Sequence, residues 1–337
     1  MKLKELLADV PVLQQHADPE MEISGLCCDS RRAEPGSLFV AVSGFASDGN
    51  RFIPSAMAKG AVAVVTAKKP EEDIPYVLVE SDRLALALIS GNYYGRPARK
   101  MTMIGITGTN GKTSSTLLLK QVLEKCLGAK VGLIGTMENY IGDQVIPTER
   151  TTPESFELQA LFARMYDAGC THVVMEVSSH AISLERIGGI HYDVAAFTNL
   201  TEDHLDFHKT MDAYCDANAE LFRRCSRAVV NRDDPYAPRI LAAAQCPVLT
   251  TSAHGEAGLY ARDVELSSDH IRFAAVSGEE RAQVYVPIPG RFTVYNTLTV
   301  LGIAKSLGIA LEDAAGALKE ACGVKGRIEV VPTPGMP

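Results

Sequence analysis

The segment Gly105-Ile106-Thr107-Gly108-Thr109-Asn110-Gly111-Lys112-Thr113 constrains this chain more than any other. A short apolar run, 102–107, leads into it. A helical pattern over 114–127 follows, with apolar side chains at 117, 118, 119, 122 and 123. A glycine turn between strand and helix lets backbone N–H groups wrap a phosphate chain, and the helix start adds partial positive charge. Lys112 is then placed for the β- and γ-phosphates of ATP, and the Thr113 hydroxyl for Mg²⁺. The strict phosphate-loop pattern wants glycine at 106, where this chain has Ile106. The strand–turn–helix context therefore carries the ATP reading. A glycine turn that merely caps a helix is the alternative, and Lys-Thr directly after Gly111 argues against it.

Around this loop the chain reads as α/β: a small N-terminal α/β domain, then a mostly parallel-sheet phosphate-loop ATPase domain with an antiparallel β meander. The expected domains are 1–98, 99–325 and the start of a further domain at 326–337. In the first, runs at 38–42, 62–66 and 76–79 have strand length and β-branched content, with helical spacing at 54–59 and 84–94. Gly95-Arg96-Pro97-Ala98 breaks the pattern. Beyond it, strands are expected at 131–134, 172–177, 193–198, 228–231 and 248–250, with helical stretches between most of them, the rhythm of a parallel sheet covered on both faces. Runs at 260–266, 270–276 and 283–288 read as the meander, and helices at 293–307 and 311–321 close this part. The final residues, VKGRIEVVPTPGMP, read as a new strand just beginning, the pattern of a truncated chain.

Charge narrows the partners. Lys plus Arg number 33 against 41 Asp plus Glu, a net charge of −8, so neither nucleic acid nor a membrane surface is an expected partner. Any bound phosphate must be held by a local device. The N-terminal sequence MKLKELLADVPVLQQ lacks the apolar stretch of a secretory signal. None of the 8 cysteines forms a C-x-x-C pair, which fits small core residues in a reducing cytoplasm. A monomer is expected.

Two more segments carry chemistry. Glu176 ends an apolar strand, the edge of an open sheet where ligands bind, and is placed to hold a metal beside the phosphates. Residues 203–208 then offer four potential ligands in six positions, with His204 and His208 at helical i, i+4 spacing. An acidic helix start with two ordinary histidines explains that cluster equally well. A zinc hydrolase lacks its H-E-x-x-H helix here.

TGTNGKT at 107–113, EVSSHA at 176–181, TNLTEDHLDFH at 198–208 and GRFTVYN at 290–296 together resemble the Mur ligases. Within that family DSR at 29–31, LFVAVSGFASDG at 38–49 and TTPES at 151–155 are similar to the MurE type. The resemblance implies an ATP-dependent acid–amino-acid ligase of peptidoglycan precursor synthesis, and thereby of cell-wall growth and division. It would add a third amino acid, meso-diaminopimelate before L-lysine, to UDP-N-acetylmuramoyl-L-alanyl-D-glutamate through an acyl phosphate. It implies that Ser30 and the turn Phe45, Ala46, Ser47 contact the nucleotide sugar. Thr151, Thr152, Ser178 and Arg186 would hold its muramoyl-peptide part. Gly108, Thr109, Asn110, Gly111, Lys112, Thr113 and Ser114 would cradle ATP, with Asn296 and Arg327 also in the nucleotide set. Thr113, Glu176 and His204 would ligate Mg²⁺. Two departures stand out: Thr293 replaces a common asparagine, and Asn218 replaces the family's carbamylated lysine. Asn218, counted with the catalytic set, would leave the metal one negative charge short, a gap for chloride or a water network. A chain ending at 337 is expected to bind substrates without ligating them. A folylpolyglutamate synthase-like ligase and a non-catalytic nucleotide- or UDP-sugar-binding module are the competing readings.

Overall fold

The structure, a computed structural model, describes residues 1–44 and 47–323. Two compact units make it up. One comprises Met1–Lys100, Pro153–Arg164 and Ser183–Ile190; the other comprises Met101–Thr152, Met165–Ile182 and the chain from His191. The segments 153–164 and 183–190, expected to run with the ATPase region, thus cluster with the first unit.

The first unit carries helix α1 (Leu3–Leu6) and five strands, β1 (Val12–Gln15), β2 (Gly25–Cys27), β3 (Ser37–Ala41), β4 (Ala63–Thr66) and β5 (Tyr76–Val79). Their order is β1-β5-β4-β3-β2, parallel except for β1 at one edge. Helix α2 (Ile53–Ala58) crosses from β3 to β4, and α3 (Asp82–Tyr93) follows β5. Strands β3 and β4 are buried throughout, hence their unbroken apolar runs. Strand β1 is exposed along its whole length and shows no alternation to read.

In the second unit, β6 (Thr102–Thr107) runs into the glycine turn and then into α4 (Lys112–Leu127). Next come β7 (Val131–Ile134), a hairpin of β8 (Asn139–Ile141) and β9 (Gln144–Ile146), α5 (Ser155–Asp167), β10 (His172–Glu176), α6 (Ser179–Ser183) and β11 (Val194–Phe197). The chain continues through α7 (Leu205–His208), α8 (Met211–Ala219), β12 (Ala228–Asn231), α9 (Ala237–Ala243) and β13 (Val248–Ser252). It closes with β14 (Leu259–Leu266), β15 (Ile271–Ser277), β16 (Glu280–Val286), α10 (Arg291–Ser306) and α11 (Leu311–Ala317). The sheet order is β16-β15-β14-β13-β12-β11-β6-β10-β7-β8-β9. Pairing is parallel from β7 through β14 and antiparallel in the meander and the hairpin, the expected architecture with one unforeseen hairpin.

Strand β6 has β10 on one side and β11 on the other, so later strands were added to both flanks and a crevice opens at its carboxyl end. Ile106 pairs with Glu176 and with Ala196 inside the ladder. The strand therefore extends through the position where the strict loop pattern has glycine, and the turn is compressed into residues 108–111. Helices α4 and α10 pack together over this sheet, and Ile104, Leu119, Val122, Val194, Val229 and Leu298 are all wholly buried between them. No helix among the described residues is long and apolar enough to cross a membrane.

Candidate active site

Gly108 and Gly111 adopt φ values of 127° and 87°, which only glycine takes without strain. Space excludes a side chain at both as well: a Cβ on Gly108 would collide with Thr198 Oγ1 and lie 2.7 Å from the Asn199 carbonyl, and one on Gly111 would collide with Asn296. The next strand's end holds the loop. The Thr109 N–H donates to the Asn199 carbonyl (2.8 Å) and the Asn110 N–H to Asn199 Oδ1 (3.1 Å). The Asn110 carbonyl accepts from Thr198 Oγ1 (2.7 Å) and Asn199 Nδ2 (2.9 Å). Asn231, at the end of β12, donates in turn to the Thr198 carbonyl at 2.8 Å. Thr198, Asn199 and Asn231 were not expected among the site residues; the loop's shape depends on them.

Lys112 Nζ folds back onto the carbonyls of Gly108 (2.6 Å) and Thr109 (2.8 Å). Thr113 is buried in the first turn of α4. Beside the loop lies a cavity of about 790 Å³ whose walls include Asn110, Ser114, Asp233, Phe292, Tyr295 and Asn296. It is apolar on the side of Leu118 and Ile288 and polar on the side of the β12 end, which suits a nucleobase and its ribose. Thr293 also lines it, but its hydroxyl is turned onto the Pro289 carbonyl at 2.8 Å. Tyr295 is fixed by its hydroxyl, 2.8 Å from His254 Nε2.

Glu176 ends β10 with a carboxylate that is 1% exposed. It accepts from the Thr136 N–H (2.8 Å) and the Thr136 hydroxyl (3.0 Å), and no ion pair to it occurs among the described residues. A buried carboxylate lacking a cation partner is costly, and that deficit fits a site for a hard divalent ion. Thr136, absent from the sequence expectation, also reaches Thr151, the two hydroxyls being 3.1 Å apart. Thr152 Oγ1 donates to the Glu176 carbonyl (2.8 Å) and accepts from the Ser178 N–H (3.1 Å). Thr151, Thr152, Glu176 and Ser178 thus form one polar cluster.

The four-ligand metal cluster at 203–208 is not formed. His204 lies outside the helix, in a left-handed conformation with φ 55°, so the i, i+4 projection does not apply to it. Its ring faces Asp203, 3.3 Å away, and is partly exposed. His208 is buried, stacks on Tyr214 with ring centroids 5.0 Å apart, and meets the Ser179 hydroxyl at 2.8 Å. Burial, then the neighbouring His180 and His204, push its pKa down to about 4. Among the described residues no group of three or more His, Cys, Asp or Glu side chains gathers for a metal. His204 and Glu176 remain as candidates only singly, with Thr113.

Asn218 is wholly buried in α8. Its Oδ1 accepts from the Thr107 hydroxyl at 2.6 Å and its Nδ2 donates to the Tyr214 carbonyl at 2.8 Å. In the first unit, Ser30 is buried in a single turn capped by Asp29, whose carboxylate accepts from the Arg31 N–H (2.9 Å) and pairs with its guanidinium (2.8 Å). The Ser47 carbonyl accepts from the Gly44 N–H at 3.0 Å. Arg186 pairs with Glu154 at 2.7 Å. Phe45, Ala46 and Arg327, and the expected third-domain start at 326–337, lie outside the described residues.

Residues 106–304 match the model of the Mur ligase middle domain, and residues 22–92 that of the Mur ligase family catalytic domain. The chain belongs to the Mur ligase family. A relative from Caldanaerobacter subterraneus subsp. tengcongensis, UDP-N-acetylmuramoyl-L-alanyl-D-glutamate–2,6-diaminopimelate ligase, is 44% identical over 336 residues, 99% of this chain and 69% of that protein. A solved structure of a ligase of the same name superposes with a TM-score of 0.86 at 25% identity, over 99% of this chain and 69% of the other. Folylpolyglutamate synthase of Mycobacterium tuberculosis, solved with ADP and AMPPCP, shares the fold at a TM-score of 0.62 and 18% identity over 73% of this chain. Among Mur ligases the chain is therefore similar to the diaminopimelate-adding type across both units, and the folylpolyglutamate synthase likeness covers a smaller part.

Proposed function

We propose that this Mur ligase is an ATP-dependent acid–amino-acid ligase of the cytoplasm that joins meso-diaminopimelate to UDP-N-acetylmuramoyl-L-alanyl-D-glutamate. The observation that carries the reading is the glycine turn of residues 108–111, held by Thr198 and Asn199, at the mouth of the 790 Å³ cavity, with the cation-less Glu176 carboxylate on the adjoining strand. Identity to diaminopimelate ligases at 44% over 99% of the chain supports the choice of substrate.

In the first step a carboxylate oxygen of D-glutamate attacks the γ-phosphorus while the bond to the ADP oxygen breaks, giving an acyl phosphate. The incoming amine then attacks the acyl carbon, phosphate leaves, and the amine loses a proton. Two anions must approach in the first step, so charge neutralisation and alignment supply most of the catalysis. Lys112 exchanges its two loop carbonyls for β- and γ-phosphate oxygens, while the N–H groups of 111–113 bind the phosphate chain. Asn296 and the cavity walls hold the base. Thr151, Thr152 and Ser178 orient the muramoyl-peptide end, with Arg186, and Ser30 and Ser47 read the nucleotide sugar. Mg²⁺, held by Thr113, Glu176 and His204, would neutralise phosphate charge and polarise the γ-phosphoryl group. No protein nucleophile is required.

The test is a ligation assay on a protein carrying this chain, with ATP, the UDP-dipeptide and either meso-diaminopimelate or L-lysine, read by product mass. A diaminopimelate product and a stoichiometric amount of ADP are expected. A lysine product alone would overturn the choice of amino acid. Failure of the folded chain to bind the UDP-dipeptide would overturn the ligase reading and favour a nucleotide-binding module.

A further inference from the structure

Helix α3 holds two features of the first unit at once. At its N-terminus, Ser81 Oγ accepts from the Leu84 N–H at 3.1 Å, and Asp82, only 6% exposed, accepts from the Ser43 N–H at 2.8 Å. The next residue, Arg83, donates from Nη2 to the Ser43 carbonyl at 3.4 Å. Ser43 also bridges to Asp48, so Asp82 and Arg83 hold the backbone at that bridge, one residue from Ser47. Farther along α3, a Cβ on Gly188 would come within 2.9 Å of both Ala87 and Leu84. The 185–188 turn therefore rests directly on the helix, closed by the Gly188 N–H on the Glu185 carbonyl at 3.0 Å. Glu185 enters that turn in a left-handed conformation, φ 53°, a strained state kept where it aims the next residue, Arg186.

Glu154 joins the two features. One carboxylate oxygen lies 2.7 Å from Arg186 Nη2 and the other 4.0 Å from Arg83 Nη1. The side chains of Arg186 and Arg83 are 13% and 21% exposed, so this is a sheltered triad and not a solvated surface pair.

We propose that Glu154 is a positioning residue for the UDP-muramoyl-dipeptide: it fixes Arg186 in its binding orientation and ties that orientation, through Arg83, to the Ser43 backbone and its bridge to Asp48, next to Ser47. The proposal rests on the ligase reading for the identity of that substrate. Without the carboxylate, Arg186 and Arg83 lose the acceptor they share, and Arg186 regains rotamer freedom that binding must remove again. With it, the arginine is ordered in advance by a charge-assisted bond. Glu154 acts through Arg186 and Arg83, not through the phosphate loop, so the effect should fall on the UDP-sugar and spare the adenine nucleotide.

Calorimetry on the 337-residue chain separates these effects, with UDP-N-acetylmuramoyl-L-alanyl-D-glutamate and ADP as probes. Glu154→Gln should weaken the UDP-dipeptide about tenfold, the scale of one lost charge-assisted bond, and leave ADP within about twofold. Glu154→Asp, which keeps the charge, should recover part of the loss. Arg83→Lys, which keeps charge but not the fork, should weaken the UDP-dipeptide by about threefold and add little to Glu154→Gln, since both remove one linkage. An unchanged UDP-dipeptide affinity in Glu154→Gln, with the parent chain binding normally, would overturn this assignment alone. So would an equal loss of ADP and UDP-dipeptide binding, the mark of a purely structural role. A folded parent chain that does not bind the UDP-dipeptide would overturn the ligase reading and this proposal together.

Discussion

The Thr107 hydroxyl and the Asn218 carboxamide oxygen meet at 2.6 Å in the interior of the second unit, neither residue exposed to solvent. The same hydroxyl lies 2.8 Å from the Val177 carbonyl, so one proton serves two acceptors. Asn218 Nδ2 spends a proton on the Tyr214 carbonyl. This carboxamide therefore ties α8 to the last residue of β6, one position before the phosphate turn.

Cutting that tie should cost stability. Asn218→Ala removes the bonds to the Tyr214 carbonyl and the Thr107 hydroxyl, which keeps the Val177 carbonyl, a loss of about 1 kcal/mol. Urea unfolding should show a lower midpoint with an unchanged slope.

Lys112 should matter for nucleotide affinity and little for the fold. Its ammonium bonds the loop carbonyls of Gly108 and Thr109, within its own turn, so Lys112→Ala should retain the thermal midpoint. Affinity for ATP should fall by about a hundredfold, as when one side of a desolvated charge pair is truncated. Full nucleotide affinity in the variant, by calorimetry, would remove this loop as the phosphate site.

Stability should decline on acidification through His208. Its pKa is about 4 in the folded chain, below the ordinary value of 6.5, because burial penalises the imidazolium. Between these values the unfolded chain binds the extra proton and the folded chain does not, so stability is complete above the upper value and lost as pH falls toward the lower. His208→Gln should flatten that part of the profile relative to the parent chain. Parallel profiles in both proteins would contradict the assignment.

Asn218 is neutral where the Mur ligase resemblance places a carbamylated lysine, and its amide nitrogen has one proton beyond the Tyr214 bond. If an anion supplies the missing charge near Mg²⁺, Mg²⁺–ADP should bind several-fold more tightly in chloride than in acetate at equal ionic strength, with screening held constant. Bicarbonate should change nothing. Equal affinities in the two salts would rule out the anion.

Much of the fold was legible because burial leaves a local imprint. Strands β6, β7 and β12 sit where unbroken apolar runs stand, since a strand covered on both faces has no polar face to alternate. Strand β1, exposed throughout, and the short β8–β9 hairpin left no such imprint. The His204–His208 spacing misled for a definite reason: periodicity assumes helical φ at both ends, and His204 has a φ of 55°. Thr136 gave no signal of its own and Glu154, inside the TTPES segment, no sign of its role, because each acts on a residue distant in sequence: Thr136 on Glu176, and Glu154 on Arg83.

The amino-acid sequence by itself determined the glycine turn, the lysine and threonine that follow it, the strand-and-helix rhythm and the resemblance to a ligase family. These are local properties, written in neighbouring residues by backbone freedom, side-chain chemistry and period. Only the tertiary structure decided that Thr198 and Asn199 hold the loop, that Glu176 is buried with Thr136 as its donor, that His208 belongs to a ring stack, and that Glu154 stands between two arginines. Hydrogen bonds and charge pairs depend on distances of a few ångströms between residues tens of positions apart, and folding alone brings those residues within reach.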